Sequence, residues 1–154
     1  MLSPSVAWLN AAHSGAEPRL LLKIAMDDTD TLYWRALSGA CDLIDEQIAI
    51  VSVSTVGSEI DPLTRQMQTS ECVVGVADAW IRPIIAGTLA YRLKGKRATV
   101  THGFKGIAAA DFLAMASGPI GEITVEGRRD AGVVSISIMG LMSTFNDVTV
   151  YGSW

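Results

Sequence analysis

The sequence predicts a mainly β fold, an antiparallel β-barrel or sandwich with one short helix at about residues 82–91. Three observations carry that prediction. Apolar and polar residues alternate with a period of two in several short runs, which is the pattern of strands with one buried face. Clusters of Gly, Asp, Asn and Ser separate those runs and supply turn conformations. A helical period is clear in only one place, and the sum is about eight short strands, as in antiparallel barrels and sandwiches.

Taken in order, residues 1–18 show no clear period, and Ser3-Pro4 and His13-Ser14-Gly15-Ala16-Glu17-Pro18 suggest an N-terminal arm, leaving 19–154 as a single β-barrel-like domain. From Arg19 to Met26, Leu20, Leu22, Ile24 and Met26 fall on one face and Leu21, Lys23, Ala25 and Asp27 on the other, which predicts a strand. The turn-prone Asp27-Asp28-Thr29-Asp30 then leads into Thr31–Leu37, so the two runs form a hairpin that Ser38-Gly39 ends. Ile48–Val56 alternates Val51 and Val53 against Ser52 and Ser54 and stops at Gly57-Ser58. Asp61-Pro62 marks a turn, because proline biases its predecessor away from helix. Gln66–Ala77 returns to strand, with Cys72, Val74 and Val76 opposite Met67, Thr69 and Glu71.

The period changes after Ala79. Trp80, Ile81, Ile84, Ile85 and Leu89 make one helical stripe, and Pro83 fits only a first turn, so the helix begins near Arg82. Arg97–Phe104 alternates most cleanly of all, with Ala98, Val100, His102 and Phe104 on one face. Ala108–Ala116, rich in Ala, Leu and Met, reads as helix on propensity alone. Ile120–Glu126, Val133–Met139 and Val148–Tyr151 complete the strands, the second with Val134, Ile136 and Ile138 against Ser135 and Ser137.

Composition narrows the function classes. The 154 residues are 49% apolar and 18% charged, with a mean hydropathy of +0.33. That is enough for one core, with apolar surface left over to meet protein. A formal net charge of −4 offers no field for phosphates, so direct nucleic-acid recognition is not expected. Lys94, Lys96 and Arg97, and Arg128 with Arg129, read as solvated turns. No run reaches the roughly 18 apolar residues of a membrane helix, and the first ten residues lack the cationic start and apolar core of a secretory signal.

No group of residues reads as a catalytic constellation. Asp27, Asp28 and Asp30 lack the central glycine and closing glutamate of a calcium loop, and Asp42, Asp45 and Glu46 read as a solvated loop or a first helical turn. His102 lies on an apolar strand face and is expected to be a hydrogen-bonded core histidine, since His13 is the only other imidazole. Cys41 and Cys72 make neither a disulfide framework nor a metal motif, and Cys72 reads as a small hydrophobe. Ser135 and Ser137 belong to a strand instead of a nucleophile elbow, Gly103–Gly106 is no phosphate loop, and Glu59 with Asp61 fits a loop better than an acid/base pair. The expected catalytic, cofactor and metal residues are therefore none.

Three segments carry a family resemblance. Glu59–Arg65 contains Ile60-Asp61-Pro62-Leu63-Thr64-Arg65, Leu93-Lys94-Gly95-Lys96 is followed by Val100 and Gly103-Phe104, and Ser117–Glu122 contains Gly118-Pro119-Ile120. In this order they resemble the I-D-P-L-T-R, L-x-G-K-x-x-x-V-x-x-G-F and G-x-I stretches of the amino-terminal β-domain of phage tail hub and tail tip proteins. The resemblance covers about Leu20 to Leu141. It implies a non-enzymatic virion structural protein of a tailed phage or phage-like particle, without cofactor, made in the host cytoplasm and located in the tail. It implies as partners other copies of the chain in a ring and neighbouring tail tube, hub or baseplate proteins, without a stable membrane anchor. It also implies that Ile48–Val56, Gln66–Ala77 and Ala98–Phe104 are tube or barrel strands and that 108–116 is extended. An end at Trp154 without a second β-module fits a small completion, terminator, adaptor or baseplate ring protein better than a large hub. Two other classes remain: a small β-barrel enzyme such as a hydrolase, and a β-barrel module that binds a small apolar ligand in an empty centre.

Overall fold

A computed structural model describes residues 4–26, 33–40, 47–54, 59–60, 67–68, 71–79, 81, 93–127 and 132–140. The chain is mainly β. Helix α1 (Val6–His13) comes first, followed by strands β1 (Pro18–Ala25), β2 (Tyr33–Leu37), β3 (Gln47–Ile48), β4 (Ile50–Val53), β5 (Glu59–Ile60), β6 (Met67–Gln68), β7 (Cys72–Ala77), β8 (Arg97–Phe104), β9 (Leu113–Glu126) and β10 (Val133–Ile138). Eight of them form one sheet in the order β3-β2-β1-β8-β9-β10-β7-β4, and β5 and β6 pair separately. Every pairing in the large sheet is antiparallel except β2 with β3.

The sheet is not a closed barrel, since β3 and β4 stand at its two ends. It folds over as a sandwich instead. Only Ala49 separates β3 from β4; its amide donates to the Leu37 carbonyl at 3.0 Å and its carbonyl accepts from the Ala77 amide at 2.7 Å. The two ends of the sheet are thus brought to one residue. At the other side the bend is in β9, whose first half pairs with β8 and whose second half pairs with β10. A strand that passes from one layer to the other makes the corner of such a fold.

The corner has a specific construction. Gly95, at φ 82, lets the chain reverse just before β8. Its amide donates to the Ile120 carbonyl at 2.7 Å, and the Ile120 amide donates to the Lys96 carbonyl at 2.8 Å. The Met139 amide donates to the Pro119 carbonyl at 3.0 Å. This brings the Met139 carbonyl so close to Gly118 that a Cβ there would overlap it.

The predicted alternation places the core correctly. Leu22 and Ile24 of β1, Val74 and Val76 of β7, Ala98 and Val100 of β8, and Val134, Ile136 and Ile138 of β10 share one buried cluster with Cys72, Ile120 and Ala49. Leu20 and Met26 pack against it from the same face of β1. Burying a Leu or Ile side chain contributes about 1.5–3 kcal/mol, so this cluster is the main source of stability. The opposite face of β1 is covered too: Leu21 packs with Leu37 and Phe112, flanked by Ile107 and Ala109.

Four expectations need comment. The run predicted as Ile48–Val56 is broken at Ala49 and carries a register shift between Ile50 and Ser52. This bulge gives β4 an extra residue, so Val51 is exposed while Val53 packs on the core, although strict alternation put them on one face. The supposed arm contains α1. Residues 108–116 are mostly extended: a 3-10 turn at Ala109–Asp111 precedes β9. The helix expected at about 82–91 lies outside the described residues, as do Asp27–Asp30, Asp42–Glu46, Asp61–Arg65, Cys41, Arg128 with Arg129, and Val148–Tyr151.

Candidate functional site

The least expected arrangement is the docking of α1 on β8. Ser5 starts the helix in an extended conformation, its side chain accepting from the Trp8 amide at 3.1 Å, an N-cap that satisfies one of the free amides of the first turn. The helix stops at Gly15, φ 71. There the Gly15 amide donates to the Ala12 carbonyl at 3.3 Å and the Ala16 amide to the Ala11 carbonyl at 3.1 Å, the paired bonds of a Schellman turn.

No residue of α1 is buried. Its indole is the anchor: the Trp8 ring meets His102 edge-on at 5.8 Å between centroids and Phe104 at 5.1 Å, and His102 and Phe104 meet at 5.2 Å. The Trp8 Nε1–H donates to the His102 carbonyl at 3.3 Å. Edge-to-face rings of this kind add about 0.5–1.5 kcal/mol per pair to burial. His102 therefore sits half-buried under a helix, held by rings, and not within the main core cluster as the alternation suggested. The reason is that α1, invisible to a search for period two, covers that end of the strand.

Among the described residues, the other candidates for chemistry are spread apart. Cys72 is a free thiol in the core cluster, and β9 and β10 lie between its strand and that of His102. Burial pushes its pKa above the ordinary thiol value, because desolvation penalises the thiolate. The folded state therefore holds the proton more tightly than the unfolded chain. This contribution is fully present below the ordinary thiol pKa of about 8.5 and is lost as pH rises through the higher folded value. Native protein at neutral pH is expected to leave Cys72 unmodified by a thiol reagent while urea-unfolded protein reacts promptly, as a time course by mass spectrometry would read. Equal rates would show an accessible thiolate.

Glu59 pairs with Gln68 in the small β5–β6 hairpin. Ser135 and Ser137 lie on β10, opposite Gly75 and Val73 of β7, and the buried Ser137 Oγ has no hydrogen-bond partner among the described residues. No group of three His, Cys, Asp or Glu able to hold a metal occurs among the described residues, and no described helix is long and apolar enough to cross a membrane. An apolar recess lined by Ile24, Met26, Trp34, Ile81 and Leu93 has no room for a water molecule.

What the described surface does present is apolar side chains. Val6 and Leu9 on α1, Tyr33, Ile48, Val51, Met115 and Val125 are all exposed, Val6 to 73% and Val51 to 61%. Ile48 adjoins Ala49, where the two ends of the sheet meet, and Val51 lies two residues beyond it. No family model matches the chain, and no curated protein matches it.

Proposed function

We propose that the chain is a structural protein of a tailed phage or phage-like particle, acting as a single β-module in assembly of the tail tip or baseplate. The supporting observation is the structural use of two of the three segments that resemble tail hub and tail tip domains. The Leu93–Lys96 turn and the Gly118–Ile120 bend hydrogen-bond to each other and together make the corner at which β9 passes between layers. Their glycines serve backbone geometry, as expected of segments that specify a scaffold. The exposed Ile48, Val51, Met115 and Val125 give a β-module apolar surface for neighbours.

In this reading the chain acts through its surfaces, as a ring of copies that contacts a tube or hub neighbour. Light scattering of the purified protein, with negative-stain imaging of the eluted species, tests it. A discrete ring several times the 16.4 kDa chain mass is the expected result. A chain that stays monomeric at high concentration, with no ring in the images, would count decisively against the reading.

A further inference from the structure

We infer that α1 is an exchangeable element, and that the aromatic floor of His102 and Phe104 accepts Trp8 from a second copy of this chain. The floor fits that occupant by identity, since it already holds the same side chain. The inference rests on the self-assembly that the proposed function requires, and not on the identity of the particle.

The attachment of α1 to its own body is narrow. The helix is eight residues long with none buried, too short to be stable alone in water. Its specific contacts are one indole on two rings and one N–H on a strand carbonyl, with Ala7, Ala11 and Ala12 partly buried beside them. Among the described residues the chain is next fixed at the Lys105 amide, which donates to the Glu17 carbonyl at 2.9 Å, and at the start of β1, where Pro18 pairs with Phe104. Between these points Ser14, Gly15 and Ala16 carry the reversal, through the two Schellman hydrogen bonds and the left-handed Gly15. Opening that turn releases the helix without disturbing a strand. Straightened, the four residues 14–17 span at most about 14 Å, so exchange requires a copy whose β8 end lies beside this one.

In dilute solution the chain's own helix wins, because a short tether holds it at a high effective concentration. Two features reverse this once copies stand side by side. The tether advantage shrinks when neighbouring floors lie within the same reach. In addition Val6 and Leu9, three residues apart and so on one side of α1, are left exposed by the chain's own body and gain cover against an adjoining copy. Exchange of an identical element is a low-cost route to oligomers because its contacts already exist.

A photo-crosslinking phenylalanine analogue in place of Trp8 tests the inference, with irradiation of the concentrated full chain, denaturing electrophoresis and tryptic mapping. A covalent dimer in which the N-terminal peptide is joined to peptide 98–105 is the expected product. A join between those two peptides found only in the single-chain band would overturn it, as would a dimer linked elsewhere. Should that variant not fold, the same analogue placed at His102, with Trp8 intact, gives the reciprocal crosslink into 6–13 and is judged by the same two bands.

Discussion

Replacing Gly118 by Ala is expected to cost about 3 kcal/mol of stability. The added methyl would lie inside the van der Waals envelope of the Met139 backbone carbonyl, which cannot rotate aside as a side chain can. That carbonyl's residue is also pinned, since the Met139 amide donates to the Pro119 carbonyl at 3.0 Å. Relief requires moving the end of β10 away from the bend of β9 and breaking this hydrogen bond. Overpacking that forces side-chain and backbone shifts costs about 1–3 kcal/mol, occasionally more, and an obstructing backbone carbonyl puts this case at the upper end. Against a total stability of roughly 5–15 kcal/mol, this is a large fraction, and the variant is expected to unfold at a clearly lower urea concentration by circular dichroism. Gly121→Ala is the control. There a Cβ would meet Met139 Sδ at 2.7 Å and Cγ at 2.9 Å, the flexible part of a side chain, and a loss below about 1 kcal/mol is expected. Equal stability of the two variants would mean that the corner is not built as described.

Truncating Ile136 to Ala is expected to destabilise by about 2–5 kcal/mol, and to Val by about 0.5–1.5 kcal/mol. Ile136 is fully buried and pairs with Val74 on one side and Ile123 on the other, at the middle of the main cluster. Removing its outer atoms loses transfer energy and leaves a cavity that a sheet bonded on both sides cannot collapse to fill. Val125→Ala on the exposed end of β9 provides the comparison, since Val125 is 49% exposed and should change stability by less than about 0.5 kcal/mol. Urea midpoints at constant slope would read both. An Ile136→Ala midpoint close to that of Val125→Ala would show that the inward face has been assigned to the wrong side.

Both predictions depend on features of unequal visibility in the sequence. The inward face of β10 was legible because Val134, Ile136 and Ile138 alternate with serines, and β1 and β8 were legible for the same reason. Period two follows from the pleat and needs no knowledge of the partner strand. The bulge at Val51 was not legible, because an extra residue is set by the register against β7 and not by the run itself. Helix α1 was missed since its residues are apolar without a stripe, yet Ser5 at the N-cap and Gly15 past the end were usable signals of its limits. In Ala108–Ala116, pairing with β8 overrode helix propensity. The docking of Trp8 on His102 and Phe104 joins residues 94 and 96 positions apart, a distance at which local patterns say nothing.

The pairing of β1 with β8 has a consequence for the order of synthesis. Leu21 lies opposite Thr101, and the Thr101 hydroxyl donates to the Leu21 carbonyl across 80 positions of chain. The β1–β2 hairpin therefore leaves the ribosome well before the strand that completes its other side. Leu22 and Ile24, buried in the finished protein, are bare during that interval, and β1 carries an open edge. Long-range pairings of this kind make folding slow, and an unpaired edge is a template for wrong partners. Crowding of unfinished chains on one message is thus the stage at which this protein is most exposed to aggregation, and slower initiation, which spaces those chains apart, should raise its soluble yield.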